Sequence, residues 1–401
     1  MRESDQAVLG DYLSIGAFTK TFPTLVIKRA LKQAGRSGSR ERSLPNHLVI
    51  YYVMSMTMLS AGYCEVMRWL LEGMRYSRKL AGQVKPMCTS GITQARQRVG
   101  WEPFKILFDT AACPIATEGT KGAWYKGLRL VSVDGSTVDV ADTEENREIF
   151  GSQNASRGKT AFPKLRFVSL IEIGTKAPFA VSVAGYTEAS EIALARQVID
   201  KLSAGMLCLA DRYYTGPTFI KEAIKNGADV LWRAKSTLVM PVENLLSDGS
   251  YLTTMYKDPT DRRLKQDGVR VRVIEYKLSG REREQSYRLV TTLLNEKEAP
   301  AIELAALYHE RWEIETALDE LKTHLRGSNV VLRSKTPDLV RQEFYGLMLS
   351  YYTVRAVMHD AALKGDEDPD RLSFVHAVRV IKRAVPRFGF FPPEGMATPA
   401  G

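Results

Sequence analysis

Residues 128–134 read Leu-Arg-Leu-Val-Ser-Val-Asp, and residues 206–211 read Met-Leu-Cys-Leu-Ala-Asp. The first stretch has the period of two that is typical of a β-strand, and the second is a short continuous apolar run, as in a buried strand. Each run stops at an aspartate. Because strand ends in α/β sheets commonly carry ligand groups, Asp134 and Asp211 are candidate site residues. The alternative for each is an ordinary solvated aspartate at the junction of a strand and a turn.

The sequence around these two runs predicts an α/β catalytic domain over residues 121–235. Its predicted order is β-β-β-α-β-α-β, which describes a three-layer domain with a mixed sheet. The further predicted elements are strands at 164–171, 178–184 and 230–232 and helices at 190–202 and 219–225. Residues 236–295 break this rhythm, because they alternate at 268–274 and 287–293. We interpret them as a β-rich insertion.

Helical patterns predominate on both sides of this region. The pattern of residues 1–120 predicts an all-α N-terminal domain with a buried helix at 48–59, and its basic first part makes it the candidate DNA-binding domain. Its first part is basic, which suits contact with phosphates or, alternatively, a solvated helix face: Lys28, Arg29, Lys32, Arg36, Arg40 and Arg42. Residues 296–335 are predicted to complete the catalytic domain. Residues 336–401 predict a C-terminal helical region with helices near 337–364 and 372–383 and a loose tail from Phe388.

Composition excludes several classes of protein. The 401 residues are 44% hydrophobic and 25% charged, so the chain can bury a core and is not expected to be disordered. Its net charge of +10 favours a polyanionic partner such as DNA. It has no apolar run long enough to span a membrane, and its N-terminus lacks the pattern of a signal peptide. The four cysteines are widely spaced, which indicates a reducing, cytoplasmic location rather than a zinc site or a disulfide framework.

A third acidic candidate lies in the predicted helix 299–326. At about 100° per residue, Tyr308, Arg311, Glu315 and Lys322 fall within one arc of about 60° beside an apolar stripe. The wheel directs Glu313 and Glu320 to the far side and leaves Asp319 as the nearest competitor of Glu315. The stripe consists of Leu307, Ile314, Leu318, Leu321 and Leu325. A simple surface ion pair between Arg311 and Glu315, four residues apart, is the alternative interpretation.

Three carboxylates in a basic chain suggest a joint chemistry. Carboxylate oxygens suit Mg²⁺ or Mn²⁺, and two such ions can activate a nucleophile and stabilise the leaving oxygen at a phosphodiester. Arg, Lys and Tyr beside them are suited to contact phosphate oxygens. The predicted site therefore comprises Asp134, Asp211 and Glu315 as catalytic and metal-binding residues.

The spacing Tyr308-x2-Arg311-x3-Glu315-x6-Lys322 resembles the Y-R-E-K motif of bacterial transposases of the insertion element 4 family. The stretches VSVDGSTVDV around Asp134 and LCLADRYYTG around Asp211 are similar to the first and second acidic motifs of that family. The resemblance extends from about residue 8 to about residue 385.

This resemblance implies a ribonuclease H-like catalytic domain with a β-rich insertion. It implies that Asp134, Asp211 and Glu315 bind two Mg²⁺ or Mn²⁺ ions, and that Tyr308, Arg311 and Lys322 contact DNA. The implied activity is cut-and-paste transposition. A homodimer would bind the terminal inverted repeats, cleave through hairpin ends and join the freed 3′-hydroxyls to target DNA in the bacterial cytoplasm, in association with the nucleoid.

Two alternative functions stay open at this point: a metal-dependent endonuclease without strand transfer, and a catalytically inactive, transposase-derived DNA-binding protein. Three further residues are candidates for DNA contacts. Trp232 could stack on a flipped base, or it could be a half-buried strand residue. Arg233 and Lys235 could follow a phosphate backbone.

Overall fold

A computed structural model describes residues 15–38, 43–75, 87–152, 154–155, 158–159, 162–277, 286–325 and 331–383. Arg40 and Arg42 of the predicted basic face and the tail from Phe388 lie outside these residues. The chain divides into two compact units. The helical unit comprises Met1–Cys113, Val138–Lys164 and Asp319–Gly401, and the sheet unit comprises Pro114–Thr137 and Leu165–Leu318.

The α-helices of the described residues are α1 Ile15–Thr21, α2 Thr24–Gln33, α3 Asn46–Met58, α4 Tyr63–Arg75, α5 Thr89–Val99, α6 Glu102–Ala111, α7 Glu144–Phe150, α8 Glu191–Ile199, α9 Pro217–Ile224, α10 Pro259–Leu264, α11 Ala301–Leu307, α12 Trp312–Asp319, α13 Pro337–Gly365 and α14 Phe374–Arg383. The strands are β1 Trp124–Tyr125, β2 Leu128–Val140, β3 Asn154–Ala155, β4 Gly158–Lys159, β5 Lys164–Glu172, β6 Ala177–Gly185, β7 Met206–Ala210, β8 Asp229–Arg233, β9 Asn244–Leu245, β10 Tyr251–Met255, β11 Val269–Lys277, β12 Ser286–Thr291 and β13 Val331–Leu332. Single 3-10 turns cover Tyr308–Arg311 and Pro369–Arg371, and a π-helical turn covers Glu320–His324.

The main sheet has the strand order β6-β5-β2-β7-β8-β12-β11-β10-β9. Its central strands β2, β7 and β8 are parallel, and β12 joins β8 in antiparallel orientation through the pair Leu289↔Arg233. The predicted α/β fold is confirmed. The β-rich insertion is also confirmed, and its strands extend the catalytic sheet rather than forming a separate one.

Alternate residues of the central strands pack on opposite faces of this sheet. Val131 and Val133 share a core with Leu194 of α8, whereas Leu130 shares a second core with Leu304 of α11. This follows from the period of two in a strand, which sends successive side chains to opposite faces. The sheet unit therefore has helices on both faces, as the predicted three-layer order requires.

In the helical unit, α3 is buried over nearly its whole length, as predicted for residues 48–59. It packs against α13, which coincides with the helix predicted at 337–364. The apolar run between Ile92 and Phe108 forms two helices, because Gly100 ends α5 with a φ of 72°, a conformation that favours glycine.

A buried arginine fastens α5 to α13 within the helical unit. The Nε of Arg96 donates to Oε1 of Gln342 at 2.8 Å, and an Nη donates to Oγ of Ser334 at 2.9 Å. We expect Arg96→Met to lower the free energy of unfolding by about 3 kcal/mol, because these acceptors would stay buried without a donor. Urea unfolding measures the change. Arg98→Met, at a partly exposed position of the same helix, should lower the free energy of unfolding clearly less. An equal decrease in the two variants would contradict the stabilising role of the buried Arg96.

None of the helices in the described ranges combines the length and the apolar character needed to cross a membrane. The domain boundaries predicted above follow changes in the sequence pattern, and they stay a prediction.

Candidate active site

The parallel ladder between β2 and β7 brings two candidate aspartates to one edge. The last paired residues are Val133 and Ala210, so Asp134 and Asp211 are the first residues beyond the ladder on neighbouring strands. Neighbouring strands are separated by about 4.8 Å. Asp134 does not end its strand, contrary to the prediction, because β2 continues to Val140 and pairs there with β13. Asp211 does follow the end of its strand.

The segment that carries the third candidate is not one straight α-helix. The 3-10 turn Tyr308–Arg311 separates α11 from α12, and a π-helical turn follows α12. Rotation per residue differs in these turns, so the even spacing assumed for the predicted wheel does not hold. Tyr308 is only 5% exposed, and its hydroxyl donates to the carbonyl oxygen of Ala210 at 3.1 Å. The 3-10 turn is thereby fixed to the strand end that precedes Asp211.

Arg311 lies between the acidic residues. Its guanidinium donates to Oε1 of Glu315 at 2.6 Å and lies 4.0 Å from Oδ2 of Asp134. The side chain is only 8% exposed. Burial opposes a rise in the pKa of Arg311, but the charges of its neighbours, including Glu315 and Asp211, raise it above its usual value. This guanidinium is therefore a cation that lies beside Glu315 and Asp134 and is also influenced by the charge of Asp211.

Asp134 is held in an unfavourable environment for a charge. Burial raises its pKa to about 6, and the nearby charges of Glu191 and Glu315 add to the rise. The backbone N–H of Gly135, at 2.8 Å, and the guanidinium of Arg311 act in the opposite direction. A carboxylate whose ionisation is disfavoured in this way gains stability from an additional cation.

Two acids that the helix wheel directed to the far side are in fact buried. Glu313 accepts a hydrogen bond from the backbone N–H of Gly174 at 2.6 Å, and Glu320 accepts one from the hydroxyl of Tyr351 at 3.0 Å and pairs with Arg355. The wheel gave the directions of these side chains relative to Glu315, but it could not show that other segments bury them. Glu315 is the acid of this segment whose ion pair and charge reach Arg311 and Asp134.

The residues predicted to contact DNA are placed differently from one another. Trp232 is 0% exposed and packs on Phe219 with ring centroids 5.5 Å apart, so no ring face is available to a base. We correct that prediction: Trp232 is a core residue, because its strand is covered on both faces. Arg233 lies over the ring of Tyr287 at 4.4 Å, and the exposed Lys235 lies near the ring of Tyr213 at 5.8 Å.

Tyr308 is buried in this conformation, with its hydroxyl committed to the strand end described above. Its side chain positions the 3-10 turn, and its predicted contact with DNA stays a prediction. Lys322 is half-buried in the π-helical turn of the helical unit. Lys28, Arg29, Lys32 and Arg36 are exposed along α2 and the residues after it.

Sequence reasoning missed Glu191, the first residue of α8. Its carboxyl group lies against Gly135, and its Oε1 accepts a hydrogen bond from the hydroxyl of Tyr214 at 2.8 Å. The glycine directly after Asp134 was a signal of a close approach, but the sequence does not show which residue approaches.

The donor set suits a divalent ion chemically, because Asp134, Asp211 and Glu315 offer the hard oxygen ligands that Mg²⁺ and Mn²⁺ prefer. Within the described ranges, no group of three or more His, Cys, Asp and Glu is already arranged to hold a metal ion. The guanidinium of Arg311 occupies the space between Asp134 and Glu315. The residues therefore fit divalent ions by their chemistry, and Arg311 compensates their charge in the arrangement described here.

The chain matches the transposase DDE domain over residues 125–353, which is more than half of its length. The chain belongs to this family. Residues 12–109 match the N-terminal region of insertion element 4 transposases, in agreement with the resemblance found in the sequence. The protein is therefore a DDE-type transposase. Transposases with this domain generally depend on divalent metal ions.

Known proteins similar to this transposase include one from Escherichia coli strain K12. That relative, transposase InsG for insertion sequence element IS4, is 28% identical over 379 residues, which cover 94% of this chain and 82% of the relative. Among solved structures, the piggyBac transposase synaptic complex with hairpin DNA shares 13% identity with a TM-score of 0.49 and covers 92% of this chain and 79% of that chain.

Proposed function

We propose that this transposase moves an insertion sequence by cut-and-paste, with Asp134, Asp211 and Glu315 as its catalytic acids. The observation that carries the proposal is that Asp134 and Glu315 lie beside the buried guanidinium of Arg311, while Asp211 follows the neighbouring strand at the level of Asp134. Burial makes ionisation of Asp134 energetically unfavourable, and a bound cation would stabilise the ionised carboxylate.

The three carboxylates would hold two Mg²⁺ or Mn²⁺ ions. When bound, such ions activate the attacking oxygen and stabilise the leaving oxygen of a phosphodiester. The protein supplies the rigid frame: the parallel ladder fixes the backbones of Asp134 and Asp211, and the hydroxyl of Tyr308 fixes the turn before Glu315. Release of the Arg311 guanidinium toward a DNA phosphate would open the space between the carboxylates.

We propose a reaction in four steps. Water first cleaves one strand and leaves a 3′-hydroxyl at the element end. This hydroxyl then attacks the opposite strand, which forms a hairpin as the flanking strand leaves with its own 3′-hydroxyl. Hydrolysis reopens the hairpin, and the 3′-hydroxyl finally displaces a 3′-oxygen of target DNA. Each step exchanges one phosphodiester bond for another or hydrolyses one, so no energy-rich cofactor is consumed.

The experiment is to incubate the purified protein with its own element ends and Mg²⁺ and to resolve the products on a denaturing gel. Nicks, hairpins and joined products together support cut-and-paste transposition. Cleavage without joined products would instead indicate an endonuclease that lacks strand transfer, and binding without cleavage would indicate an inactive DNA-binding protein.

We also propose that a homodimer brings two element ends together on nucleoid DNA in the bacterial cytoplasm, as the resemblance to the family implies. Light scattering of the complex with end DNA tests this. We expect one complex that contains two protein chains and two DNA ends. Separate complexes of one chain with one end, even at saturating protein, would contradict the proposal.

Lys322 is proposed to bind a DNA phosphate, together with Arg311, Arg233 and Lys235. We expect Lys322→Ala to weaken binding of end DNA and to reduce the slope of log affinity against log salt by about 1, because one counterion fewer is released. Fluorescence anisotropy over a salt series measures both. Lys322→Arg keeps the charge and should keep the slope. An unchanged slope in the alanine variant would rule out the contact.

A further inference from the structure

A fourth acidic side chain approaches the active site from the opposite side of β2. A Cβ atom added to Gly135 would lie 2.5 Å from Cδ and 2.9 Å from Oε1 of Glu191. A side chain at position 135 would therefore require the carboxyl group of Glu191 to move. Glu191 is therefore packed directly on the backbone that adjoins Asp134.

A buried tyrosine holds this carboxyl group in place. The hydroxyl of Tyr214 donates to Oε1 of Glu191 at 2.8 Å, and its ring, which is 1% exposed, packs on Phe219 with centroids 5.9 Å apart. The backbone N–H of Tyr214 donates to the carbonyl oxygen of Asp211 at 3.1 Å. Tyr214 thus joins the turn after one catalytic aspartate to the acid that lies beside the other.

The charge of Glu191 acts on the site. Its carboxyl group lies against Gly135, the residue directly after Asp134 in the chain. An acid in the first turn of a helix can serve simply to stabilise that helix. Glu191, however, accepts a hydrogen bond from a buried hydroxyl and lies against Gly135. Its negative charge is therefore close to that of Asp134, and two neighbouring negative charges repel each other unless a cation lies nearby.

We propose that Glu191 is a fourth acidic residue of the transposase active site and that its charge strengthens the binding of divalent cations there. The inference rests on the proposed roles of Asp134, Asp211 and Glu315. Glu191 is a positioning residue in this proposal, because it acts through the field at Asp134 and through the turn that Tyr214 anchors.

The test is to titrate Mn²⁺ into the full-length protein without DNA by isothermal calorimetry, and to measure the thermal midpoint of the metal-free variants. Glu191→Gln retains the size and an oxygen acceptor for the Tyr214 hydroxyl, so it removes mainly charge. We expect it to bind Mn²⁺ about tenfold more weakly, with a thermal midpoint no lower than that of the wild type. Tyr214→Phe should weaken binding less, because the charge stays but is no longer held.

Glu222→Gln is the matched control, since Glu222 lies on α9 and pairs with Arg196 at 2.9 Å, away from Gly135. It should bind Mn²⁺ like the wild type. If Glu191→Gln binds Mn²⁺ normally while Asp134→Asn does not, the role of Glu191 is overturned and the site assignment stands. A lower midpoint with normal affinity would show a purely structural role. If the wild type binds no Mn²⁺, or if Asp134→Asn binds it normally, the site assignment fails as well.

Discussion

Replacement of Glu315 by glutamine should reduce strand cleavage by at least about a hundredfold while binding of element ends stays measurable. Residues that merely support a metal ligand often contribute tenfold to a hundredfold, so loss of a ligand itself should cost more. Glutamine keeps an oxygen that can accept the hydrogen bond of Arg311, which in the wild type is 2.6 Å from Oε1. The change therefore removes charge and leaves the local fold intact.

Single-turnover cleavage of labelled end DNA with Mg²⁺ measures this loss, and anisotropy with Ca²⁺ measures binding. Glu310→Gln is the control, because Glu310 is exposed in the 3-10 turn of the same segment. It should cleave like the wild type. Cleavage by the Glu315 variant at a similar rate would remove Glu315 from the catalytic set.

Asp134→Asn should abolish cleavage and, at neutral pH, stabilise the metal-free protein. The pKa of Asp134 is about 6 in the folded protein and 3.8 in its usual state. Its contribution to stability is therefore fully present below pH 3.8 and is lost as the pH rises through about 6. Above that pH the ionised group costs about 3 kcal/mol, which the asparagine variant avoids.

Urea unfolding in EDTA at pH 7.5 and at pH 4.5 measures the effect, which should be large at the higher pH and small at the lower one. Mg²⁺ should stabilise the wild type more than the variant. Asp142→Asn provides a control, because the hydrogen bond from Arg147 lowers the pKa of Asp142 and its removal should not stabilise the protein. If Asp134→Asn and the wild type are equally stable at pH 7.5, ionisation of Asp134 does not destabilise the folded protein and the prediction is wrong.

Local sequence patterns predicted much of the secondary structure. The strands at 164–171 and 206–210 and the helices at 190–202 and 337–364 were predicted within a few residues, because apolar periodicity reports which side of an element is buried. The ends of the helices and strands were predicted less well. β2 continues past Asp134 because a distant strand, β13, pairs with it, and no local pattern encodes that partner.

The candidate site was predicted in part. The spacing of Arg311 and Glu315 by four residues correctly indicated that these side chains meet. The burial of Glu313 and Glu320 did not follow from the wheel, because it depends on partners elsewhere in the chain, Gly174 and Tyr351. Trp232 appeared to be a DNA contact because it stands next to basic residues, but the helix α9 covers it.

The amino-acid sequence was sufficient to establish the class of fold, the motif spacing and the family, because these depend on side-chain type and short-range order. Only the tertiary structure decided that Arg311 lies among the carboxylates and that Glu191, fifty-six positions beyond Gly135, packs against it. The physical reason is that long-range contacts depend on which faces pack together, and each such contact is a property of two segments at once.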